Sequence, residues 1–142
     1  MRVDDCFKKR LLRRSKPDSL KVAKALEMAK VKNERARDLF ENGFFEESIV
    51  SSYTSMFQAA RALLFHDGVV EKSHACVVAY LREKYSSKLG QNKISWLDTY
   101  RLERHESFYG LEKLDGDMAE AEDALEKAEK FLESIQQIMQ IS

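Results

Sequence analysis

Apolar residues recur along this chain at steps of three and four, with charged residues between them, and that spacing predicts helices throughout. The clearest stripe is the last one. Leu114, Met118, Ala121, Leu125, Ala128, Leu132, Ile135 and Met139 form a heptad seam suited to shallow-angle helix packing. At the other end, Val3, Phe7 and Leu11 predict a short amphipathic helix over 3–14. A first long helix over about 19–42 carries Leu20, Val22, Leu26, Ala29, Ala36, Leu39 and Phe40. Pro17 marks the break before it, Asp18 or Ser19 can cap it, and Gly43 supplies its stop. A second, over about 45–67, lines up Ile49, Tyr53, Met56, Ala60 and Leu63, with Phe57 and Leu64 beside them, and ends at Gly68. Ser73 can cap a third, which carries Val77, Val78 and Leu81 and ends before Gly90. A fourth spans about 94–109 with Ile94, Leu97 and Phe108, and stops at Gly110. No strand-like alternation is evident.

Long helices joined by short loops pack as antiparallel bundles. The loops expected at 43–44, 68–72, 87–93 and 110–113 are all short enough. The expected fold is therefore all-α: an up-and-down bundle of four main helices plus a short N-terminal helix. It forms a single domain over 1–142, with 1–17 as a basic N-terminal extension. A coiled-coil or dimer seam stays open as another use of the last helix.

Composition narrows the function. With 5 Gly and 1 Pro in 142 residues, turns are too scarce for a sandwich or barrel. No apolar run approaches the roughly 18 residues of a membrane span, and the N-terminus lacks a signal-peptide core. A cytoplasmic protein is expected, with Cys6 and Cys76 reduced and ordinary. The net charge of zero hides an asymmetry: residues 1–40 carry +7, 41–109 carry −1 and 110–142 carry −6. The basic segment Lys8, Lys9, Arg10, Arg13, Arg14 and Lys16 can dock on the acidic last helix or stay mobile. A basic face attracts phosphates; solvated helix faces that neutralise one another are the plainer reading.

Several chemistries are excluded. The five glycines are scattered helix stops, so there is no phosphate-cradling loop, and no nucleophile elbow occurs. A paired-metal bundle site needs two Glu-x-x-His motifs and two further glutamates. Only Glu71 to His74 fits, and at a helix start, so neither metal nor cofactor is expected. His66, before the Gly68 stop, and His74, after Ser73, read as capping and packing residues. The fourth helix differs, because heptad steps from Leu97 reach Arg101, Arg104 and Phe108. Unpaired burial of an arginine is costly, so these must pair, face a cleft or meet a partner. Guanidinium suits phosphate recognition. A solvated face with Glu103 and Glu106 as charge partners is the alternative.

The stretches Ser52 to Leu64, Gly68 to His74, Arg101 to Gly110, and the Ala-rich last helix through Ala128, Phe131 and Leu132 together resemble the small stand-alone HEPN proteins of prokaryotes. The likeness covers 20–140 in order. It implies a helical bundle that forms a homodimer. In that family an Arg, a polar residue and, a few residues later, a His make the motif. Catalytic members join two copies of it to cleave RNA without metal. Others work beside a small nucleotidyltransferase as a toxin–antitoxin pair, and still others only bind. Carried over, Arg104 is the motif arginine, His105 the polar residue, and Tyr109 stands where the histidine would be. Tyrosine, with a reference pKa of about 10, is a poor base at neutrality but can hydrogen-bond phosphate. Arg101 and His105, four apart, share a helix face and can form a rearranged pair.

The expectation is a dimeric nucleotide- or RNA-binding module, with catalytic candidates Arg104, His105 and Tyr109 and binding candidates Arg101, Arg104, Arg61 and His74. Whether it is an enzyme stays open: a metal-independent ribonuclease is the first alternative, and a non-catalytic helical interaction protein, partnered for example by a nucleotidyltransferase, is the second. Tyr53, Met56 and Phe57 read as bundle core and not as a base-stacking platform.

Overall fold

The computed structural model describes residues 1–109 and 117–141, with side chains placed for 1–103 and 117–140. The elements in chain order are α1 (Val3–Lys8), β1 (Leu12–Arg14), α2 (Ser19–Glu41), α3 (Phe45–His66), β2 (Val69–Glu71), α4 (His74–Lys84), α5 (Ser86–Leu89), α6 (Gln91–Tyr109) and α7 (Met118–Ile141). The fold is an all-α helical bundle, as the periodicity predicts.

The start of the chain departs from the expected helix over 3–14. Asp4 and Asp5 suit the first turn of α1 and Lys8 its last, and Val3 and Cys6 are buried. The helix then stops in a Schellman turn. The Leu11 N–H donates to the Cys6 carbonyl at 2.8 Å and the Arg10 N–H to that of Phe7 at 3.1 Å, with Arg10 at φ +58°. The chain continues as β1, which pairs antiparallel with β2 in the register Leu12↔Glu71, Arg13↔Val70, Arg14↔Val69. Strand pairing at this point overturns the reading of a strand-free chain. The basic segment is thus laid along β2 and α4 instead of docking on the last helix or staying mobile.

Cys6 and Cys76 are joined in a disulfide, with Cα atoms 5.9 Å apart at a sequence separation of 70. This corrects the expectation of two reduced, unrelated thiols. The cause is tertiary: α1 packs on α4, and each cysteine is fully buried at that contact.

Asp18 caps α2, accepting from Leu20 and Lys21 N–H at 3.1 Å each. Gly43, at φ +80°, ends it as expected. Only Ala25, Ala29 and Ala36 of α2 are buried, and Leu20, expected in the stripe, is 64% exposed. The small residues let α3 approach closely. Ser48, Ser51 and Ser55 of α3 donate to the Ala36, Lys32 and Ala29 carbonyls, each at 2.7 Å. The rest of α3 is core: Tyr53, Met56, Phe57, Leu63 and Leu64 meet Val77, Leu81, Ile94, Leu97 and the α7 residues Ala124, Ala128, Phe131 and Ile135. The heptad seam of α7 is therefore used inside the bundle, although Met118 is 56% exposed. Arg37 of α2 pairs with Glu129 of α7, joining the basic and acidic ends of the chain.

Gly68, at φ +75°, is required where it stands. A Cβ there would lie 2.5 Å from the Ser15 carbonyl oxygen and 3.1 Å from Pro17 Cδ. The third predicted helix breaks at Tyr85 into α4 and α5, and α6 begins at Gln91, inside the span expected as loop. Leu114, Gly110 and the loop at 110–113 lie outside the described residues.

Candidate nucleic-acid interface

The sequence singles out the end of α6, and the described part of that helix holds one of its residues. Arg101 is bound by its own helix: Nε and Nη2 meet Asp98 Oδ1 at 2.9 and 2.8 Å. The second oxygen of Asp98 lies 3.5 Å from Nη2 of Arg82, and Nη1 of Arg82 donates to Gln91 Oε1 at 3.1 Å. One carboxylate thus joins two guanidiniums across α4 and α6. Arg82, in the last turn of α4, reaches the start of α6, so the two helices run back along each other. Arg104, His105 and Tyr109 belong to the last turns of α6, and their side chains lie outside the described ones.

Ser73 caps α4 as expected, its Oγ accepting from the Cys76 N–H at 3.2 Å. His74 does more than cap and cover. Its Nδ1 is 2.7 Å from the Tyr53 hydroxyl, and its ring stacks on Phe57 with centroids 3.8 Å apart. Tyr53 and Phe57 belong to the core, as predicted, but they also hold an imidazole. Glu71, the other half of the Glu-x-x-His motif, turns to Arg61 instead.

Arg61 stands elsewhere. Its Nε donates to Glu71 Oε1 at 2.6 Å and its Nη1 to Gln58 Oε1 at 3.2 Å, with the guanidinium 5.0 Å above the Phe65 ring. The structure therefore does not bring the described candidates into one cluster. Arg61 faces α2 and β2, Arg101 the α4–α6 hairpin, and His74 the α3–α4 contact.

Two polar clusters escaped sequence reasoning. Asp67 accepts from the Tyr80 hydroxyl at 2.8 Å and from that of Tyr85 at 2.7 Å, and the His66 ring is 3.2 Å away. Burial, and then the neighbouring Asp67, push both phenols well above their ordinary range. His66 therefore meets a carboxylate and not only the helix end. Between α6 and α7, the Tyr100 hydroxyl donates to Asp123 at 2.9 Å, and Lys127 pairs with the same carboxylate at 2.8 Å. The Lys127 bond holds the Asp123 carboxyl below its usual value, while burial and then Asp123 push Tyr100 up. Lys127 also lies 5.7 Å from the Trp96 ring, within cation–π reach. Only His66–Asp67 and Asp123–Lys127, one and four apart, were open to a sequence search; the bonds of Tyr80 and Tyr85 to Asp67 and of Tyr100 to Asp123 are tertiary.

The HEPN domain family model matches residues 22–138, from the first turn of α2 almost to the end of α7. The chain belongs to the HEPN domain family. The match takes in α2 to α7, so every helix carrying a candidate residue is part of the HEPN domain, and α1 and β1 precede it. Among curated proteins, none matches the chain. No described helix is long and apolar enough to cross a membrane.

Proposed function

We propose that this HEPN protein is a homodimeric module that binds RNA or a nucleotide, with the end of α6 as its contact surface. The observation that carries this reading is the HEPN match across 22–138, which includes the helix bearing Arg101, Arg104, His105 and Tyr109. In this reading Arg104 contacts phosphate and Tyr109 donates a hydrogen bond to it. Asp98 fixes Arg101 at the hairpin, so Arg101 orients the surface and presents only its remaining guanidinium edge. Partnership with a small nucleotidyltransferase, as in a toxin–antitoxin pair, belongs to the same proposal.

A second reading, a metal-independent ribonuclease, is favoured by one observation. His74 supplies an imidazole at the start of α4, held by Tyr53 and Phe57. Cleavage by 2′-hydroxyl attack needs a group that titrates near neutrality, which Tyr109 is not and a histidine is. His105 is the other source of such a group.

The test is incubation of the purified protein with labelled single-stranded RNA in EDTA, beside Arg104→Ala and His74→Ala. The binding reading expects a salt-sensitive complex, weakened by Arg104→Ala, and intact RNA. Cleavage lost in Arg104→Ala selects the ribonuclease, and its loss in His74→Ala assigns the base. A protein that neither binds nor cleaves RNA or nucleotides, with its dimer confirmed by light scattering, overturns both and leaves the interaction protein.

A further inference from the structure

A second anion-binding surface lies apart from the end of α6. Where α2 and α3 meet β2, a groove of about 340 Å³ is lined by Lys21, Lys24, Met28, Arg61, Phe65 and Val70, among others. That volume is at the small end of the ligand-pocket range, roughly 300–1,000 Å³. The walls differ in kind. Met28, Phe65 and Val70 supply apolar surface, and Met28 is 42% exposed. Lys21 and Lys24 are exposed and one helical turn apart, and Lys21 Nζ is 5.7 Å from the Phe65 ring.

Arg61 is partly neutralised by Glu71, but its Nη2 takes part in neither of the bonds to Glu71 and Gln58. Cross-strand partners in an antiparallel pair point to the same side. Arg13 is paired with Val70, which lines the groove, so Arg13 stands on the groove side of the sheet. Three cations, Lys21, Lys24 and Arg61, line the groove, and Glu71 pairs with the last of them. Cations around an apolar floor of this size suit an organic phosphate whose body is flat or apolar.

We infer that this groove holds one nucleotide unit, free or as one residue of an RNA strand, with its phosphate between Lys21, Lys24 and Arg61. The inference rests on the proposed nucleotide or RNA binding and adds a second contact surface to it. Charge in the groove comes from α2 and α3, and Val70 of β2 completes its apolar wall.

The test compares wild type with Lys21→Gln/Lys24→Gln, and with Lys84→Gln/Lys88→Gln, which removes equal charge from exposed positions outside the groove. Binding of a labelled ten-residue oligouridylate is followed by fluorescence anisotropy across a salt series in EDTA. Binding of AMP is followed by calorimetry. Circular dichroism confirms that both variants fold.

If an RNA strand occupies the groove, the Lys21/Lys24 variant binds RNA on the order of tenfold more weakly near 0.15 M salt. Its salt slope is shallower by about 0.7, since the groove holds one phosphate and each phosphate contact to single strands contributes about that much. The Lys84/Lys88 variant stays near wild type. AMP bound by wild type, and lost by the Lys21/Lys24 variant alone, assigns a free nucleotide instead. RNA and AMP each bound equally by wild type and the Lys21/Lys24 variant overturns the groove and leaves the α6 reading standing. Wild type binding neither overturns both.

Discussion

Arg10 occupies a backbone conformation that residues other than glycine rarely adopt. The left-handed position that ends a helix usually holds glycine, because a Cβ there costs about 1 kcal/mol or more. Gly43 fills that role at the end of α2 and was legible as a stop; Arg10 fills it at the end of α1 and was not. Arg10→Gly is therefore expected to stabilise the fold by about 1 kcal/mol, seen as a melting temperature higher by several degrees. The serines of α3 give a second test at this scale. Ser55 donates to the Ala29 carbonyl, whereas Ser52, fully buried, has no hydrogen-bond partner for its Oγ among the described residues. Ser55→Ala should lower stability by about 1 kcal/mol, and Ser52→Ala should be neutral or stabilising, because it removes an unsatisfied hydroxyl. Urea midpoints measure both, and equal losses would mean that packing and not hydrogen bonding governs these positions.

Helices were legible where one apolar stripe is buried along their whole length. Ala121, Ala128 and Ile135 of α7 and Tyr53, Met56 and Leu63 of α3 are core residues, as their spacing predicts. Short elements were not, because β1 and β2 are three residues each and are paired across more than fifty residues of intervening chain. Of the candidate site, Arg61 and Arg101 were legible as arginines in need of partners. Glu71 and Asp98 as those partners follow from the fold and from rotamers. The contact of α6 with α7 carries a prediction of its own. Partial burial, and then the nearby carboxylate of Glu120, raise the Glu103 carboxyl above its ordinary 4.5, with Asp123 adding to the repulsion and Lys127 opposing it. A carboxyl raised on folding favours the folded state at low pH, and that contribution is lost as pH rises through its folded value. The ionised Glu103 carboxylate thus disfavours folding. Glu103→Gln should therefore raise the melting temperature at pH 7. The gain should vanish as pH falls below about 4, where the wild-type carboxyl is protonated as well. A gain that persisted at low pH would assign the effect to packing.

At the scale of the whole molecule, the HEPN bundle and the segment before it are held together by unlike means. The bundle from α2 to α7 has a continuous apolar core. The first sixteen residues add only Val3, Cys6 and Leu12 to its fully buried apolar set, together with a three-residue strand pairing. What binds them firmly is the Cys6–Cys76 disulfide, which closes 70 residues of chain. Cross-linking a loop of that length removes unfolded-state entropy equivalent to about 4 kcal/mol, and bridges of this kind commonly deliver 2–4. Set against the roughly 5–15 kcal/mol of a typical domain, that is a large share of the stability. The oxidised protein should show no free thiol on titration and two after reduction, and its urea midpoint should drop on reduction by the equivalent of 2–4 kcal/mol. Helical circular dichroism should survive in the absence of urea, because the family match begins at residue 22 and the core does not depend on the bridge. Hydrogen exchange should quicken first at Leu11 and Ser15, whose N–H groups bond to Cys6 and Gly68, since those bonds depend most on the arm staying in place. Exchange accelerating equally across α3 and α7 would instead make the bridge a staple for the entire bundle.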